Sequence, residues 1–79
     1  MNKKVYDFVK NGKSDNNIRY EDFQNLIIDL GFEFKRYNGS HEIYFNKTIN
    51  KRMNIQRDGT KAKAYQVRQL RNIIIQYNL

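Results

Sequence analysis

The chain has no cysteine, no proline and a single histidine among its 79 residues. The missing thiols exclude disulfides, thiolate metal ligands and cysteine nucleophiles. One histidine with scattered carboxylates argues against a zinc centre, which draws on several His or Cys ligands. No apolar run approaches the roughly 18 residues needed to cross a bilayer. The opening MNKKVYDFVKNGK also lacks the apolar stretch and small-residue cleavage site of a secretory signal. The expectation is therefore one small, soluble, cytoplasmic domain with no membrane association, no metal and no small-molecule cofactor.

Acidic residues are the other scarcity. Eight Asp and Glu stand against 15 Lys and Arg, a formal net charge of +7. Residues 1–32 are balanced, five basic against five acidic, so the whole excess lies in residues 33–79, ten against three. A one-sided basic field favours a polyanionic partner, nucleic acid foremost.

What is present is clear periodicity, with no internal repeat and no low-complexity tract. Val5, Phe8 and Val9 predict a short helix over 3–11 that Gly12 stops. NGKSDNN reads as a polar loop. Tyr20, Phe23, Leu26, Ile27 and Leu30 form one apolar stripe of a helix over 20–30. Glu21 and Asp22 suit the positive end of its dipole, and Ile18 and Phe23 form a hydrophobic staple around a poor cap, Arg19. Gly31 ends that helix. FEFKRY and HEIYF alternate about an Asn38-Gly39 hairpin turn, and RMNIQR puts Met53 and Ile55 on one side. Asp58-Gly59 turns the chain again. Val67, Leu70, Ile73, Ile74 and Tyr77 predict a closing helix over about 64–77. The order α-α-β-β-β-α implies a two-layer α+β domain, with a three-stranded antiparallel sheet covered by helices on one face. Alternation assigns His41, Ile43 and Phe45 to the core side, and Glu42, Tyr44 and Tyr37 to the outer side.

Two features can carry chemistry. His41 begins a strand at the rim of the sheet, and histidine is the side chain suited to move protons near neutral pH. Lys61 and Lys63 flank the start of the last helix, where a cation opposes the helix dipole. That placement is sensible if a phosphate sits there, held by free N–H groups and ammonium groups together. Arg68 and Arg71 extend the same track, or are ordinary exposed residues. Tyr37 and Tyr44 would offer stacking surfaces to unpaired bases, or simply pack across strands.

Taken together, LGF at 30–32, FKRYNGSHEIY, MNIQ and GTKAKAYQVRQLRNII make residues 18–79 similar to the HicA family of toxin–antitoxin mRNA interferases. The chain resembles the subgroup with an extra N-terminal helix, here residues 1–17. The resemblance implies a double-stranded-RNA-binding-domain-like fold and metal-independent cleavage of mRNA. It assigns catalysis to His41, the turn that presents it to Gly39 and Ser40, and neutralisation to a HicB-type antitoxin. Many relatives carry a second histidine where this chain has Glu42, and a proline–histidine pair where it reads NIQRDG. A two-histidine mechanism is therefore closed to it.

The expected reaction is attack of an RNA 2′-OH on the adjacent phosphate. His41 is the general base, and Lys61, Lys63 and Arg36 stabilise the developing charge. The leaving oxygen takes its proton from imidazolium, a lysine or water. Two other readings of the same residues are a non-catalytic RNA-binding module and a domain that docks an acidic protein.

Overall fold

A computed structural model describes all residues 1–79. Helix α1 (Lys3–Asn11) is capped by Asn2, whose Oδ1 accepts from the Val5 N–H at 3.2 Å. It ends at Gly12, whose φ of 73° only glycine adopts at little cost. Helix α2 (Tyr20–Asp29) has no side-chain cap, as the poor capping chemistry of Arg19 predicts. Its entry is held from outside instead. The Tyr20 N–H donates to the Thr60 carbonyl at 2.9 Å, and the Ala62 N–H donates to the Ile18 carbonyl at 2.8 Å. Ile18 and Phe23 are both buried, as the staple requires.

Strands β1 (Glu33–Asn38), β2 (His41–Asn46) and β3 (Lys51–Ile55) form an antiparallel meander in the order β1-β2-β3. A small hairpin, β4 (Arg57–Asp58) and β5 (Lys61–Ala62), leads into helix α3 (Ala64–Tyr77). The predicted helices and the three-stranded meander are thus observed. The pairing of β4 with β5 is additional to the turn expected there.

One apolar cluster joins all the layers. Val9 of α1, Phe23 and Ile27 of α2, Met53 and Ile55 of β3, and Val67 and Leu70 of α3 are all fully buried in it. Residues 1–17 therefore contribute to the same core as the rest of the chain. Burial of aliphatic side chains, at about 1.5–3 kcal/mol each, is what holds α1 in place.

Two expectations about the sheet are corrected. The first hairpin turns at Gly39-Ser40, one residue later than Asn38-Gly39. Asn38 stays in the ladder opposite His41, and Gly39 alone has positive φ, 62°. That sign pattern belongs to a type II′ turn, with glycine at the first central position.

The second correction concerns the facing of β2. Tyr44 is 3% exposed and sits in the core opposite Met53, while Glu42 lies opposite Ile55. His41, Ile43 and Phe45 therefore occupy the face turned away from the helices. The reason is register. HEIYFN is apolar at both parities, but in β3 only Met53 and Ile55 are apolar, and pairing transmits their facing to β2.

Candidate active site

The open face of the sheet is built by cross-strand partners. Asn38 lies opposite His41, and Arg36 and Asn54 lie on either side of Ile43. Arg52 and Glu33 lie on either side of Phe45. Residues directly opposite each other share a face. Arg36, Asn38, Arg52 and Asn54 are exposed, and His41, half-buried, shares their face at the turn end of β2. Ile43 is only 4% exposed although it lies outside the core cluster, so side chains of the open face cover it. The strand that carries His41 is the central one, anchored on both sides by backbone hydrogen bonds.

His41 Nδ1 lies 2.8 Å from Oδ1 of Asn54. An amide oxygen only accepts, so this contact is a hydrogen bond when the ring proton sits on Nδ1. Ser40, in the turn, accepts from Nε2 of Gln56, and Gln56 Oε1 accepts from Lys63 Nζ at 2.8 Å. The turn before His41 and Lys63, the residue just ahead of α3, are therefore joined through one glutamine. Gln66, 1% exposed, braces the arrangement from inside. Its Nε2 donates to the Asn54 carbonyl at 3.1 Å and to Tyr65 Oη at 3.2 Å, while its Oε1 accepts from the Gln56 N–H at 3.1 Å. Helix α3 thereby clamps Asn54 of β3 and Gln56 just beyond it, the two residues whose side chains reach the imidazole and the turn.

The other residues singled out from the sequence fall in different places. Lys61 donates to Asn17 Oδ1 at 3.1 Å, toward the α1–α2 loop and apart from Lys63. Arg68 is exposed on α3. Arg71 forms a two-pronged ion pair with Asp15, at 2.9 and 3.1 Å, and donates to the Val9 carbonyl at 3.1 Å. It ties α3 to the N-terminal segment and stands outside the open face.

Tyr44 and Tyr37 lie on the helix side of the sheet, not the outer side. A bulge at Lys35 brings Phe34 and Tyr37 onto one face, ring centroids 5.0 Å apart. Glu42 is also on the helix side, where it accepts from Gln24 at 2.7 Å and from the Tyr44 hydroxyl at 2.8 Å. Burial, reinforced by this carboxylate, pushes the Tyr44 and Tyr20 hydroxyls well above the ordinary tyrosine range.

Sequence reasoning missed Arg52, Asn54 and Gln56. The signal for all three was their alternation with Met53 and Ile55, which puts them together on the opposite side of the strand. No three His, Cys, Asp or Glu side chains gather into a metal-binding group. The largest cavity, about 330 Å³, lies near the chain ends beside Met1, Lys3, Tyr6 and Leu79, away from His41. His41 lines neither of the two cavities and sits half-buried on the open sheet face. Comparison with protein-family models, with curated proteins and with solved structures finds no match.

Proposed function

We propose that the protein is an endoribonuclease, an mRNA interferase toxin of the HicA type, that cuts RNA without a metal ion. The observation that carries this reading is the position of the one imidazole, on an open sheet face that also carries Arg36, opposite Ile43, and Arg52, opposite Phe45. A strand lying across that face meets arginines suited to its phosphates. His41 takes the proton of a 2′-OH as that oxygen attacks the adjacent phosphorus. Arg36 and Lys63 supply positive charge to the phosphorane, Arg52 holds a phosphate farther along the strand, and the 5′-oxygen leaves with a proton from imidazolium, lysine or water. Lys61 and Arg68 contribute more distant contacts to the backbone of a longer RNA. The helix–meander–helix order supports a double-stranded-RNA-binding-domain-like classification. A HicB-type antitoxin is the proposed neutralising partner, whose acidic surface would associate quickly with this basic one.

The test is His41→Ala. The variant is expected to bind RNA with wild-type affinity and to lose cleavage by about 10²–10⁴-fold, the usual contribution of an acid–base group. Unchanged cleavage by the variant would remove His41 from the mechanism. A second reading, a non-catalytic RNA-binding module, is favoured by one observation. Apart from His41 itself, the bonded cluster of His41, Asn54, Ser40, Gln56 and Lys63 contains only Lys63 as a titratable group. RNA binding with no product from the wild type selects that reading.

A further inference from the structure

We propose that Asn54 is the positioning residue for His41, accepting its Nδ1–H so that Nε2 faces the open surface as the proton-transferring atom. The inference rests on the RNA-cleavage reading for its functional consequence, and on geometry for its structural one. The contact is 2.8 Å, between the side chains of neighbouring strands. Asn54 lies opposite Ile43, so it reaches His41 along the diagonal of the same face.

Its own place is fixed twice. The β2–β3 ladder holds its backbone, and buried Gln66 donates to its carbonyl at 3.1 Å. An acceptor carried on a backbone anchored this way defines both the ring orientation and the tautomer. Free neutral histidine favours the Nε2–H tautomer, in which Nε2 has no lone pair to offer. Asn54 selects the other one. The Nδ1–H bond persists in imidazole and imidazolium alike, so every proton exchanged enters and leaves at Nε2.

An amide suits this role better than a carboxylate. Aspartate would hold the same tautomer, but its charge would favour imidazolium and deplete the base form. It would also offer Arg36 and Arg52 a competing anion on the face where RNA phosphate is to bind.

The chain has one histidine, so its ring ¹⁵N signals need no assignment by mutation. Long-range ¹H–¹⁵N spectra of the neutral ring are expected to show a protonated Nδ1 and an unprotonated Nε2 in the wild type. Asn54→Leu should move the ring toward the Nε2–H tautomer, and Asn54→Asp, which keeps the acceptor, should retain the wild-type pattern. In RNA cleavage, Asn54→Leu should lower kcat by about 10- to 100-fold, less than loss of the whole acid–base group, with KM and RNA affinity unchanged. A wild type with Nε2–H, or a tautomer indifferent to Asn54→Leu, overturns the proposal. So does a full kcat in Asn54→Leu while His41→Ala is inactive, and that result leaves the cleavage reading standing. A wild type that cuts no RNA overturns the cleavage reading and, with it, the catalytic role of Asn54, whereas the ring signals still decide the contact itself.

Discussion

At the scale of single residues, the two faces of β2 divide two kinds of chemistry. Glu42 and Tyr44 point inward and bond each other, while His41 points outward. The inward pair makes a prediction about alkali. Burial, and then the nearby Glu42 charge, raise Tyr44 and Tyr20 above the usual value near 10. Above that pH the unfolded chain releases both protons and the native chain keeps them, so the unfolded state binds fewer protons and stability falls as pH rises. The stabilisation is complete below about pH 10 and is lost at up to about 2.7 kcal/mol per pH unit for two groups. Urea unfolding at pH 9 and pH 11 measures it, and Tyr44→Phe should roughly halve the slope. A stability that stays level to pH 11 would contradict the burial of these hydroxyls.

At the scale of elements, α3 is the organiser. Its first turn clamps β3 through Gln66, and its middle holds the N-terminal segment through Arg71. The Arg71 and Asp15 side chains are 18% and 14% exposed. Removing one partner leaves the other charge largely desolvated, and Arg71→Ala should cost about 2–3 kcal/mol, discounted for residual exposure from the buried-pair value. The midpoint of urea denaturation reports this. RNA affinity of the folded variant should be unchanged, because Arg71 stands apart from His41; a weakened affinity would return Arg71 to the binding surface.

The same paired contrast explains what could be read from the sequence. The helices were legible because each has one apolar stripe, and Gly12 and Gly31 mark two of their ends. The strands were legible from alternation and turns. The facing of β2 was not, because Ile43 and Phe45 compete with Tyr44 for the interior, and only pairing with Met53 and Ile55 decides between them. His41 was therefore found by its chemistry but assigned to the wrong side. Asn54, ordinary in sequence, acquires its role only through a diagonal contact between strands. Arg71 and Lys63 look alike as basic residues near one helix, and only their partners, Asp15 and Gln56, separate a structural ion pair from a residue of the site.

At the scale of the whole molecule, all of the net charge of +7 arises after residue 32, and Arg36 and Arg52 put part of it on the face that carries His41, with Lys63 joined through Gln56 to the turn before it. If these three each neutralise one phosphate of a single strand, log affinity should fall with log salt at a slope of about −2, at about −0.7 per contact. Arg52→Ala should reduce the slope by about 0.7. A slope near zero would move RNA off this face.

The most direct measurement is made on the cleavage products. A short RNA and the same strand with one 2′-deoxy residue at the cut site are incubated with wild-type protein and with His41→Ala, and the new ends are identified by mass. The account predicts a 2′,3′-cyclic phosphate from the all-ribose strand with the wild type alone, and no scission at the deoxy position. Scission of the deoxy strand, or equal scission by His41→Ala, would contradict it.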